Sequence, residues 1–196
     1  MKRWACLLTA VMFCLICTVS LASGWVVPGR NGNYDSSDST FSGISVRLTD
    51  DLATRSGPST GYTGCGSYRM KGQYVTALSR SYDNGGVLWI EIEFQYGGGY
   101  RRAWTGAKRL EISQNQLKQI PEEDFSTYIG YGTLTGKSTP RFGPGSLYAT
   151  YGDRDFRRGD QVVAIREANG YYLVECYHTD GNILRCWVST SDVSIN

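Results

Sequence analysis

The feature that most limits what this chain can fold into is an internal repeat. Leu52-Ala-Thr-Arg-Ser-Gly-Pro-Ser-Thr-Gly-Tyr62 returns in altered form as Thr139-Pro-Arg-Phe-Gly-Pro-Gly-Ser-Leu-Tyr148, so that Arg55, Gly57, Pro58 and Tyr62 fall on Arg141, Gly143, Pro144 and Tyr148 at a spacing of 86 residues. Further blocks follow in the same order. Lys71-Gly-Gln-Tyr-Val75 answers Arg158-Gly-Asp-Gln-Val162, Gly86-Val-Leu-Trp-Ile-Glu91 answers Gly170-Tyr-Tyr-Leu-Val-Glu175, and Arg102-Ala-Trp104 answers Arg185-Cys-Trp187. The spacing drifts only between 83 and 87, so insertions are short and lie between the matching blocks, where loops tolerate them. Two domains of roughly 60 residues each are expected, near the lower size limit for independent folding.

Their class follows from the pattern inside the blocks. The chain carries 24 glycines and 14 tyrosines with 41% apolar residues, a composition that suits short strands joined by tight turns and predicts an all-β fold. Ile44-Ser-Val-Arg-Leu48 alternates apolar and polar residues as a half-buried strand does. Over Val87 to Phe94 the alternation puts Leu88, Ile90, Ile92 and Phe94 on a core face and Val87, Trp89, Glu91 and Glu93 on an outward one. Gln95-Tyr-Gly-Gly-Gly-Tyr100 supplies a hairpin turn and Arg101-Arg-Ala-Trp-Thr105 the returning strand. Val162 to Ile165, Tyr172 to Cys176 and Leu184 to Val188 repeat the plan. Domain boundaries are expected at 44–112 and 136–196, with the polar stretch 113–135 as a flexible linker carrying at most one short helix.

Residues 1–22 read as a signal peptide, with basic Lys2 and Arg3, an apolar run from Trp4 to Val19 and the small-residue exit Ser20-Leu-Ala22. Cleavage after Ala22 and a secreted or cell-envelope location are expected, with no membrane span after cleavage; an uncleaved anchor is the alternative. Residues 23–43 form a polar extension in which Trp25, Val26 and Val27 are positioned to dock on the body. Removing the signal takes Lys2 and Arg3 from 20 basic residues and leaves 18 against 18 acidic ones. A neutral chain argues against nucleic acid as partner, because phosphate binding needs a basic excess on one face.

Cys65, Cys176 and Cys186 are the cysteines left after cleavage. Cys176 and Cys186 flank the turn Thr179-Asp-Gly-Asn182 and are candidates for a cross-strand disulfide after export; the alternative is two thiols packed as small apolar side chains.

An opening strand, then Leu-x-x-Arg-Ser-Gly-Pro-Ser-x-x-Tyr, Lys-Gly-x-x-Val, Trp-Ile-Glu-Ile and a closing Ala-Trp resembles the bacterial SH3-like domain family. The resemblance covers Ile44 to Ile112 well and Gly136 to Ile195 more loosely, since Phe142 follows Arg141 and Gly145 follows Pro144. It implies a small, strongly curved β-barrel for each half and an exported module that binds wall peptides or glycans. Such modules are commonly attached to a hydrolase domain, and no wall-peptidase sequence accompanies them in this chain.

Enzymatic readings are narrow. His178 is the only histidine, so a cysteine hydrolase would have to bring Cys65 of one repeat to His178 of the other. A zinc site would draw on Cys176, His178 and Cys186. Glu91 and Glu93 share a strand face and are expected to be solvated charges facing Arg101 and Arg102, not a glycosidase pair. No cofactor, metal site or catalytic residue is therefore expected. The aromatic residues give the better lead: Tyr62, Tyr82, Trp89, Tyr100 and Trp104 in the first repeat, and Tyr148, Tyr151, Tyr177 and Trp187 in the second, exceed what two small cores can hold. Exposed Tyr and Trp suit peptides or sugar rings; the alternative is that Tyr62, Tyr148, Trp104 and Trp187 close the barrels. The expectation is a non-catalytic binding protein for cell-wall peptide or glycan, or for an envelope protein, with Trp89 the leading contact; a scaffold part for another exported protein is the alternative.

Overall fold

The computed structural model describes residues 43–123, 128–152, 155–178 and 181–196. The expected signal peptide, its expected cleavage site and the extension through Ser42 lie outside the described residues, as do Thr179 and Asp180 of the expected turn. No helix among the described residues is long and apolar enough to cross a membrane.

The fold is all-β, as the alternation predicts. The first half contributes β1 (Ile44–Leu48), β2 (Leu52–Arg55), β3 (Gly64–Tyr68), β4 (Tyr74–Tyr82), β5 (Leu88–Tyr96), β6 (Gly99–Gly106), a 3₁₀ turn (Ala107–Arg109) and β7 (Leu110–Glu111). These pair in a curled seven-stranded sheet of order β3-β2-β6-β5-β4-β1-β7. After α1 (Gln114–Gln119), the second half contributes β8 (Gly130–Leu134), β9 (Gln161–Ala168), β10 (Tyr171–Tyr177), β11 (Ile183–Ser189), a 3₁₀ turn (Thr190–Asp192) and β12 (Val193–Ile195). Their order is β11-β10-β9-β8-β12. Strands β8 to β12 repeat the places of β1, β4, β5, β6 and β7. The counterpart of the β2–β3 hairpin is reduced in the second half to isolated bridges such as Arg141 with Thr150 and with Trp187.

Each half has its own core. In the first, Ile90, Ile92 and Phe94 of β5 pack with Val46, Leu48, Leu52 and Val75; in the second, Leu134, Val162, Val174, Leu184 and Val188 do the same. The hairpin joining β5 to β6 turns on Gly97 and Gly98, with φ of 62° and 84°, the left-handed pair that a two-residue hairpin loop demands. The register corrects the sequence alignment of the two halves. Glu93 pairs with Arg102 on the first hairpin and Glu175 with Arg185 on the second, so Glu175 is the counterpart of Glu93, not of Glu91, which corresponds instead to Leu173.

The described parts of 113–135, residues 113–123 and 128–135, are built into the two halves and do not form a free linker. Ser113 and Gln116 close a reciprocal cap on α1, which satisfies backbone donors that a helix end leaves bare. Ile120 is sunk in the first core, Glu122 pairs with Arg80, Glu123 is buried, and residues from Gly130 onward are already a strand of the second sheet. Its few apolar and acidic side chains hide this, because each is used singly and no periodic pattern links them.

The cysteine hairpin takes the second of its two expected forms, packed thiols without a bridge. Cys176 opposes Leu184 and Cys186 opposes Val174, a diagonal placement with Cα atoms about 7–8 Å apart, wider than the usual span of a disulfide. Both residues are thiols in the structure, as is Cys65. Alkylation of a denatured, unreduced chain spanning Ser23 to Asn196 should therefore modify three cysteines, which intact-mass measurement would read directly; a mass two hydrogens lighter with one alkyl group would show a bridge instead.

The repeated turn has one cause in both halves. The guanidinium of Arg55 donates to the Tyr62 carbonyl at 2.6 Å and that of Arg141 to the Tyr148 carbonyl at 2.9 Å. A Cβ on Gly57 or Gly143 would fall inside the ring of Tyr62 or Tyr148 respectively. Arginine, glycine and tyrosine recur together because the arginine draws the turn back and the ring lies flat on the glycine backbone. Gly57→Ala and Gly143→Ala should each cost about 1–3 kcal/mol through overpacking, measurable as a lower denaturation midpoint, whereas Gly106→Ala, where a Cβ meets nothing, should cost less.

Candidate functional site

The two turn tyrosines do not close their own domains. Tyr62 crosses to the second half, where its hydroxyl donates to Glu175 Oε1 at 2.8 Å, and Tyr148 crosses to the first, where its hydroxyl donates to Glu93 Oε2 at 2.5 Å. Each receiving carboxylate is held by an arginine of the neighbouring strand, Arg185 Nη2 at 2.6 Å from Glu175 and Arg102 Nε at 2.7 Å from Glu93. The same arginines lie over the incoming rings, Arg185 at 5.2 Å from the Tyr62 centroid and Arg102 at 5.3 Å from that of Tyr148. Backbone bonds follow the same exchange. Thr63 N–H donates to the Ile183 carbonyl at 2.8 Å and Ala149 N–H to the Tyr100 carbonyl at 2.9 Å. Repeat sequences have made a seam that is isologous within one chain, each half offering the other the same patch.

The exchange governs the electrostatics. Burial, with the Glu175 carboxylate alongside, raises the Tyr62 phenol far above its ordinary value, although Arg185 pulls the other way. Burial likewise raises Tyr148, again with its arginine opposing and its glutamate adding. Desolvation alone would make Arg185 easier to deprotonate; the facing Tyr62 and Glu175 outweigh it and push its pKa up. The phenols are neutral donors, then, and the arginines stay charged.

Between these crossing points the symmetry breaks. Positions Ser79 and Glu91 of the first half correspond to Arg166 and Leu173 of the second, and the registers Ser79 with Glu91 and Arg166 with Leu173 agree. Arg166 reaches across to Glu91 at 3.4 Å and to Glu123 at 2.8 Å, with its guanidinium 5.3 Å from the Trp187 ring centroid. Burial would raise Glu91, but Arg166, and after it Arg102, outweigh burial and hold it low. Glu123 is raised, because burial and the nearby Glu91 charge exceed what Arg166 returns.

These contacts correct several expectations together. Glu91 is not a solvated charge, and Trp89 is not an outward platform: they are 6% and 8% exposed. The second half covers this face of β5 at Glu91, where Arg166 reaches it, whereas Trp89 is buried within the first half, against Trp104 and the Asp83 carboxylate. Tyr62, Trp104 and Trp187 are buried, Tyr148 packs edge-on against Tyr100 with centroids 6.3 Å apart, and Tyr151 stacks on Phe142 at 3.9 Å with its hydroxyl 3.3 Å from Cys65 Sγ. Most of the candidate binding aromatics are thus spent on the seam. Tyr82, Tyr100 and Tyr177 are exposed, each at or next to an end of its strand, the first two on the first sheet and the third on the second. Cys176, His178 and Cys186 do not gather: among the described residues no cluster of three or more His, Cys, Asp or Glu side chains is placed to hold a metal ion.

Beyond the edge of the seam, the same face of β5 opens into a groove of about 970 Å³ on the first half, lined by Arg55, Asp83, Val87, Leu88, Trp89 and Lys108 among others. Its wall is set by the Asp83 carboxylate, which accepts from the Trp89 indole N–H at 3.0 Å and from the backbone of Gly85 and Val87. These bonds outweigh desolvation and keep Asp83 below its ordinary range. Val87 and Lys108 stand exposed at the rim. At the matching positions the second half carries Ser191 for Lys108 and Asp192 for Arg109, so the groove's basic side belongs to the first half alone. Asp83 and Lys108 escape a sequence reading because neither sits in a motif. Glu175 and Arg185 leave a faint trace, as charges flanked on both sides by apolar residues.

Tyr62→Phe should destabilise the chain by about 1–3 kcal/mol, because it leaves a buried glutamate one donor short. The more open Tyr148 should cost less on conversion to Phe, about 0.5–1.5 kcal/mol. Urea titrations of the two variants check both the size and the order.

Compared with known proteins, the chain matches no family model, no curated protein and no solved structure.

Proposed function

We propose that the chain is an exported, non-catalytic binding protein of two SH3-like modules that recognises cell-wall peptidoglycan, through the groove floored by Trp89 on the first module. The observation that carries this reading is the groove: a concave, partly apolar surface with a fixed indole, an acidic wall at Asp83 and a basic rim at Lys108. Apolar floor with a few placed polar groups is the ordinary build of a ligand site, and wall peptides offer both aliphatic side chains and charged termini. The modules act as one rigid unit, because the seam holds them in place. Affinity therefore comes from one preformed surface and its neighbours, not from two tethered sites.

A second reading, an assembly part for another envelope protein, draws on a different surface. Tyr128, Ile129 and Tyr131 are 40%, 46% and 58% exposed, and the two tyrosine rings meet edge-on at 5.4 Å. Contiguous apolar surface of this kind is a common mark of protein contact.

Sedimentation of the mature protein with insoluble peptidoglycan separates them. Val87→Asp and Lys108→Glu, both at the groove rim and outside either core, should each weaken co-sedimentation by about tenfold or more, equivalent to about 1.4 kcal/mol. Tyr131→Ser should leave it unchanged. A wild-type protein that stays in the supernatant would turn the assignment to the second reading.

A further inference from the structure

The middle of the seam holds more carboxylates than cations. Among the described residues, Arg102, Arg166 and Arg185 face Glu91, Glu93, Glu123 and Glu175. Glu93 and Glu175 each have their own arginine and a tyrosine hydroxyl. Glu91 and Glu123 share the third arginine, Arg166.

Ser79 sits between those two. Its Oγ lies 3.1 Å from Glu91 Oε2 and 3.3 Å from Glu123 Oε2. A hydroxyl has one proton to donate. With both carboxyls ionised, one of the two contacts would set a lone pair against a lone pair inside a buried site, where nothing screens it. A proton on Glu123 Oε2 removes the conflict: Glu123 donates to Ser79, Ser79 donates to Glu91, and Arg166 is left with a single charged partner and a neutral acceptor. The charges then balance, three against three.

Among the described residues, the charged and titratable groups around this site are few. From β4 come Ser79 and Arg80, whose guanidinium is taken by the Ile120 carbonyl and Glu122. From β5 comes Glu91, from β6 Arg102, from β9 Arg166, and from β10 and β11 the Glu175–Arg185 pair with Tyr62. We infer that Glu123 is buried as a neutral carboxylic acid and acts as a pH-set latch, pinning the connector between the halves to β4 and to Arg166 while protonated and loosening the seam when it ionises. The backbone supports that role: Glu123 N–H donates to the Arg80 carbonyl at 2.8 Å and Arg80 N–H to the Pro121 carbonyl at 2.9 Å, so a shift of Glu123 pulls on β4 directly.

The direction of the pH effect follows by linkage. An acid whose folded-state pKa is raised, as burial and Glu91 raise that of Glu123, binds more protons folded than unfolded. Its stabilisation is complete below the unfolded value and is lost as pH rises through the folded one. Glu91, held low, works oppositely and loses its contribution as pH falls.

Two measurements test this. In the first, the glutamate carboxyl carbons of the folded wild-type chain are followed by NMR. The Glu123 carbon is expected to keep its protonated shift near pH 6, where an ordinary glutamate at about 4.3 is ionised; a carboxylate shift at that pH overturns the inference. In the second, urea unfolding is compared at about pH 5 and pH 8 for wild type and Glu123→Gln, an amide of the same shape that can still donate to Ser79. The unfolding equilibrium constant of the wild type should rise at least about fivefold more than that of E123Q, since each unit of pKa difference is worth about tenfold. Equal rises overturn the inference. Should E123Q fail to fold, the carbon shift of the wild type decides alone.

Discussion

Every other feature of this molecule depends on a sheet face that is charged and nevertheless dry. Glu175 and Arg185 are almost wholly buried, and taking two such ions out of water costs several kcal/mol each unless partners complete them. Here the partner is the hydroxyl of Tyr62 from the opposite half, and the same exchange runs back through Tyr148 to Glu93 and Arg102. Neither half is therefore a finished object. Its face would carry an incompletely bonded ion pair without the other, and two domains this small have little core with which to offset that. The repeated arginine-glycine-proline-tyrosine turn, usually a device for closing a loop, serves mainly to aim a ring across the seam.

A symmetric exchange would suit two identical chains equally well. What makes the fusion of two unequal halves useful is the centre of the seam, where Ser79 and Glu91 stand on one side and Arg166 and Leu173 on the other. By this correspondence two copies of the first half would set Glu91 against Ser79, and two copies of the second would set Arg166 against Leu173, and a buried charge left without its counter-charge is strongly unfavourable. The connector completes the arrangement by delivering Glu123 to the same place. Divergence of the repeats has also left a groove with a basic rim on the first half, so the first half carries the candidate ligand surface, lined by its own residues alone.

Much of the fold was legible in the chain itself. The period-two alternation in Ile44 to Leu48 and Val87 to Phe94, the glycine pair at the hairpin tip, and the spaced turn motif are local signals, because strand pleat and turn conformation are decided by a few neighbouring residues. The second half followed from the first by the repeat. Register was less legible: aligning Glu91 with Glu175 by sequence alone moved the strand by two residues, which preserves the face of every side chain and so leaves no trace in the alternation.

What only the tertiary structure decided is the meaning of the outward faces. Alternation tells which side of a strand differs from the other, and it cannot tell whether the polar side meets water or a second domain. Glu91, Tyr62 and Trp187 all turned on that point, and so did the connector, whose single buried residues Ile120 and Glu123 form no pattern. The sequence by itself determined two β-rich halves and the turns that join their strands. That these halves share a buried polar seam, which takes up several of the aromatic side chains and has a groove beside it, depends on contacts between residues more than a hundred positions apart, such as Tyr62 with Glu175 and Ser56 with Ile183. Burial and charge compensation across such distances are properties of the packed molecule and of no local stretch of chain.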